Sequence, residues 1–225
     1  MPLFWLIMIV LAVAAAGYFL GRQRALASAG GNTRHLHSLP SYYGWNVAMK
    51  AAVPAFLLLI VWLLVQPFYI NATVAEMIPD RTVADNASRG LVMAEVRRTA
   101  EGLDNAVAEG TMTRDFASDM RADITDVTQR LKDAGQIVTS TVTQPILNAA
   151  QRYRVMNATG TLWMSIAVIV LALAGAFWGL REAHSDFRAR NTVEQGIRAI
   201  LIGAASIAIL TTVGIILSLV FNTIE

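Results

Sequence analysis

Histidine is the residue here most able to hold a metal, and two of the three, His35 and His37, form a His-x-His pair. Two imidazoles can begin a zinc-type site, but a closed site needs further ligands at the same place. None lies nearby, and the pair reads as part of a solvated loop. His184 is distant in sequence and, like the pair, falls outside the apolar runs. The histidines are therefore not placed to project into a helical bundle and ligate haem. The absence of cysteine excludes disulfides, Cys-ligated zinc and iron–sulfur clusters. A glycine-rich phosphate loop followed by Lys and Ser or Thr is missing, as are Gly-x-Ser-x-Gly and His-Glu-x-x-His. The sequence thus yields no catalytic, cofactor-binding or metal-ligating residues, assigns none to substrate contact, and leads to the expectation that the chain is not an enzyme and carries no cofactor.

The elements that must position whatever function remains are apolar. Of 225 residues, 55% are hydrophobic and 15% charged, and the mean hydropathy is +0.49, beyond what an ordinary soluble domain shows. Eighteen Lys and Arg against 16 Asp and Glu leave a surplus of two charges, too little for a nucleic-acid surface. The excess must face membrane lipid. Four windows approach the ~20 residues that cross a ~30 Å hydrocarbon core: Leu3 to Leu20, Ala51 to Ile70, Leu162 to Leu180 and Ala199 to Phe221. Between their ends they contain no Asp, Glu, His, Lys or Arg, which argues against a membrane proton relay. Gln66 and Pro67 stand near the end of the second window, where a helix breaker is tolerated.

Orientation follows from the basic residues. The loop 21–50 holds Arg22, Arg24, Arg34 and Lys50 with no acid, and the loop 181–197, with Arg198 at its edge, adds Arg181, Arg188 and Arg190. Short loops rich in Lys and Arg stay in the cytoplasm. Residues 71–160, with 12 acidic and 10 basic residues, are then expected outside, together with both termini. A signal peptide ending near Ala27, Ser28 and Ala29 is the competing reading of the first window. It is disfavoured, because nothing basic precedes Leu3 while Arg22 and Arg24 follow the helix. The expected order is span 1–20, cytoplasmic loop 21–50, span 51–70, outer domain 71–160, span 161–180, cytoplasmic loop 181–197, span 198–221 and an outer end at 222–225.

The outer domain reads as helix. Val92, Val96, Ala100, Leu103 and Val107 step by three and four, and so do Phe116, Met120, Ile124, Val127, Leu131, Ala134 and Val138. Gly110, Thr111 and Thr113 separate the sets, and Thr113 before Arg114 and Asp115 has the composition of a helix start. The fold class expected is all-α: an integral membrane protein of four transmembrane helices, with a helical hairpin between the second and third. The two stripes are expected to pack on each other; a docking face for an outer partner is the alternative. Residues 80–150 alone are expected to be helical but only modestly stable. Tyr42, Tyr43 and Trp45 precede the second window, where aromatic rings anchor at the headgroups. Gly17 with Gly21, Gly175 with Gly179, and Ala204 with Ala208 and Thr212 have the small-xxx-small spacing of close helix contact, without naming partners.

Two segments carry a family likeness. HSLPSYYGWNVAM, from His37 to Met49, and QPILNAAQRYRVMNATGTLW, from Gln144 to Trp163, resemble the N-terminal extension of long proteobacterial forms of PstC, the permease subunit of phosphate ABC transporters. The segment from Asn191 to Glu225 looks like that family's first permease-core helix. The resemblance implies an inner-membrane importer component, the front portion of a permease, either truncated or the product of a split gene, in a family that continues with further helices and an ATPase-docking loop. It also implies a sister permease subunit, ATPase subunits that hydrolyse ATP separately, and a periplasmic phosphate-binding protein as partners. No phosphate-contacting residue is carried over. A membrane sensor with a ligand-binding or partner-binding outer domain is the alternative function, and a structural membrane protein a third.

Overall fold

Apolar runs of this length satisfy their own backbone hydrogen bonds in lipid by coiling into helices, and the computed structural model is helical throughout its regular elements. It describes residues 2–78, 88–120 and 143–224. The elements are α1 (Leu3–Ser28), a 3-10 turn (Thr33–His35), α2 (Pro40–Ala75), α3 (Arg89–Ala108), α4 (Arg114–Asp119), α5 (Gln144–Glu182) and α6 (Ala189–Ile224). Four of these, α1, α2, α5 and α6, are long and apolar enough to cross a membrane. The chain is a membrane protein.

Each of the four helices outruns its apolar window. At 1.5 Å per residue, the 36 residues of α2 and the 39 of α5 extend about 54 and 58 Å. Hydropathy reports where lipid is tolerated, whereas helix continues as long as the local residues favour it, and Ala, Gln and Arg do. Pro67 lies inside α2, and the helix runs past it to Ala75. Pro40 and Pro145 occupy the first turns of α2 and α5, where a missing N–H costs no bond. α1 stops at a glycine pair with left-handed backbone, Gly30 at φ 62° and Gly31 at φ 80°. The Gly31 N–H reaches back to the Leu26 carbonyl at 2.9 Å, closing the last turn.

The chain divides into two units, residues 1–58 with 166–225, and residues 59–165. In the second unit the buried stripe of α3 is Val92, Met93, Val96, Ala100 and Leu103. It is covered by Ile70 and Val74 of α2, by Ile78, and by Ile146, Leu147, Ala149 and Ala150 of α5. The first apolar set of the outer domain is therefore a core stripe, as its spacing predicts, and its cover comes from the ends of the long helices together with Ala117 of α4 and Met120 of the second set. Of the second set, Phe116 is exposed and Met120 buried; residues 124 to 138 of that set lie outside the described residues. Thr113 caps α4, its hydroxyl accepting from the Phe116 N–H at 3.3 Å, with Asp115 in the first turn, as expected. α4 ends at Asp119, so a continuous helical seam does not run through Met120.

Candidate functional site

Two glycine-bearing faces close on α2 in the first unit. A Cβ on Gly17 or Gly21 of α1 would lie 2.9 or 2.7 Å from the side chain of Val47 in α2, and one on Gly179 of α5 would lie 2.8 Å from the Val47 backbone. A Cβ on Gly175 would overlap the Lys50 carbonyl. Distances this short leave no room for any side chain, so both small-xxx-small pairs are helix contacts, and both use α2. Val47 is fully buried between them. The third stripe behaves otherwise: Ala204 and Ala208 are exposed, and the Thr212 hydroxyl bonds back to the Ala208 carbonyl at 3.0 Å. From Ile197 to Thr223, every residue of α6 is exposed.

Polar chemistry gathers where α2 and α5 come together. Lys50, one turn after Asn46, pairs with Glu182 at the last turn of α5. The second Glu182 oxygen accepts from the Trp178 indole at 2.5 Å, and the Lys50 ammonium lies 5.9 Å from the Phe187 ring. Asn46 is 2% exposed and its Nδ2 has no hydrogen-bond partner. By spacing, Lys50 reads only as a loop charge, because its partner stands 132 positions away.

The two arginine-bearing loops are tied to each other. The His37 ring Nδ1 is 3.0 Å from the Ser185 carbonyl, and the Arg190 N–H donates to the Ser38 hydroxyl at 3.2 Å. Tyr43 donates its hydroxyl to the carbonyls of Phe187 at 2.9 Å and Ser185 at 3.3 Å. Its side chain is fully buried, which corrects the expectation of a headgroup anchor for this residue, whereas Trp45 is 54% exposed. His37 thus serves as a loop tie. Among the described residues no group of three or more His, Cys, Asp or Glu is arranged to hold a metal.

Beside this polar cluster runs an open apolar groove of about 660 Å³ between α2 and α6, bordered by Asn46, Lys50 and Thr192 at one end and by Leu57 and Ile207 at the other. The second unit has a more polar depression of about 500 Å³. There Arg154 pairs with Asp104 at 2.7 Å, and the Gln151 amide donates to the Ala117 and Met120 carbonyls at 3.2 and 3.0 Å. In the same unit Gln66 links Trp62 to Asn157, accepting at 2.7 Å and donating at 3.0 Å. These groups are consumed in holding helices together. What stays open is a contact surface: the groove and the bare length of α6.

A family model described as a phosphate ATP-binding cassette transporter matches residues 7–177, three-quarters of the chain. Neither a curated protein nor a solved structure matches it.

Proposed function

We propose, because the chain belongs to the phosphate ATP-binding cassette transporter family, that it is a membrane part of an importer of inorganic phosphate, the N-terminal region of a PstC-type permease in the bacterial inner membrane. The observation that carries this reading is the family match across the first three long helices. The bare surface of α6 supports it, since a helix lying beyond the matched region and uncovered along its length is suited to pack against the other helices of a permease. α1, α2 and α5 then form an accessory bundle, and α6 is the first helix of the translocating core. ATP hydrolysis is assigned to separate subunits. The remaining partners are a sister permease and a periplasmic phosphate-binding protein, with the arginine-bearing loops in the cytoplasm.

The experiment is uptake of radiolabelled phosphate in phosphate-starved cells. Deleting the gene should abolish high-affinity uptake, and restoring it on a plasmid should recover it. Uptake that survives the deletion, with no other phosphate importer present, would refute the transport role and return weight to a sensor.

A further inference from the structure

We propose that the connection from α5 to α6, Ala183 to Arg188, is a clamp that removes the hinge expected there, so that α6 turns as one body with the α1, α2 and α5 segments of the first unit. This goes beyond the transport reading and does not depend on it. The shape of α6 argues first. Its first two turns are held: Ala189 and Val193 are buried, and a Cβ on Gly196 would lie 2.6 Å from the Met49 side chain. From Ile197 to Thr223, about 40 Å of helix, every residue is exposed. α5 ends at Glu182 and α6 begins at Ala189, and short non-helical connections between helix ends are where domain hinges form. A lever of that length on a loose connection would swing.

Ties to distant segments take that freedom away. At the α5 edge, Glu182 pairs with Lys50 of α2. In the middle, the Ser185 carbonyl lies 3.3 Å from the Tyr43 hydroxyl and 3.0 Å from the His37 ring Nδ1, and the Phe187 carbonyl accepts from Tyr43 at 2.9 Å. At the α6 edge, the Arg190 N–H donates to the Ser38 hydroxyl at 3.2 Å. Apolar packing joins the same points: Ala183 and Ala189, flanking the connection, share a small core with Ala25 of α1 and Tyr43 of α2, and Phe187 packs against it. The placing of the ties decides what they can do. A single tie would leave the chain free to pivot about it. Ties at both edges and the middle, all made to α2 or to the two residues before Leu39, leave no axis for rotation. Tyr43 is the central group, fully buried and bonded to two carbonyls of the connection.

The test is the distance between paired spin labels on introduced cysteines, which the cysteine-free chain accepts without background. Labels at Leu11 of α1 and Leu210 of α6, both exposed, should give one narrow distance distribution in lipid nanodiscs. With Tyr43→Phe and Lys50→Met combined, that distribution should widen about twofold or more, as a freed hinge requires. A second pair, Leu11 with the exposed Val170 of α5, should stay narrow in the same variant, because the Gly17, Gly21, Gly175 and Gly179 contacts hold α1 and α5 to α2 without the clamp. A broad α1–α6 distribution in the native chain, or one left narrow by the double substitution, would overturn the proposal. Widening of both pairs would also overturn it, by showing that the substitutions loosen the whole bundle. The readout is independent of phosphate uptake, so failure here is distinct from failure of the transport role.

Discussion

Replacing Tyr43 with phenylalanine removes one hydroxyl and leaves the buried ring in place. The loop carbonyls of Ser185 and Phe187 lose their donor, and the expected cost is about 0.5–1.5 kcal/mol, read as an earlier thermal transition of the detergent-solubilised protein by tryptophan fluorescence. An unchanged transition would mean that water replaces the hydroxyl. The glycines give a sharper contrast. Gly179→Leu drives a side chain into the Val47 backbone and should destabilise by at least ~1–3 kcal/mol. Gly214→Ala, where the added carbon meets nothing within 4 Å, should be neutral or slightly stabilising because it raises helix propensity. Spacing alone marked Gly17, Gly21, Gly175 and Gly179 as contact residues. It could not say that Gly17, Gly21 and Gly179 close on Val47 and Gly175 on Lys50 and Ala51, because Val47 and Lys50 carry no small-residue mark of their own.

Among the elements, the boundaries of the long helices were the least legible feature. The apolar windows located four spans, but the parts of α2 and α5 that cover α3 are amphipathic extensions whose polar residues lower their hydropathy. Ile70, Val74 and Ile78 on one side, and Ile146 and Leu147 on the other, were therefore missing from the core expected of the outer domain. This alters the expectation for an isolated fragment. Residues 80–150 lack the α2 half of the core cluster and should show little cooperative melting by circular dichroism, whereas residues 66–158 should melt as a unit. Within the longer fragment, Leu103→Ala should cost about 2–5 kcal/mol, since Leu103 is fully buried. Equal melting of the two fragments would show that the α2 and α5 segments are dispensable to α3.

At the scale of the whole molecule, topology and assembly are the quantities to measure. The chain has no native cysteine, so single cysteines at Ser28, Ser118 and Ser185 report unambiguously. Those at 28 and 185 should resist an impermeant thiol reagent in intact cells and that at 118 should react; labelling of position 28 from outside would invert the proposed orientation. Ala208→Leu enlarges an exposed position on α6 and should impair assembly with the other permease helices, visible as loss of co-purification and uptake. Ile209→Leu should be tolerated, and equal tolerance at both positions would show that the small stripe receives no neighbour.

The position of Val47 between two glycine faces also has a consequence in time. α1 leaves the ribosome before α2, so the Gly17 and Gly21 side of Val47 can close as soon as α2 enters the membrane. Gly175 and Gly179 follow roughly 130 residues later, which at ~5–20 residues per second is on the order of ten seconds. Through that interval one side of α2 lies against lipid, and synthesis must deliver α5 to a docking face already rigid on its other side. A pause or a dissociated α1 during those seconds would expose the same valine twice over, making this stretch of translation the period when the bundle is most open to capture by a quality-control protease.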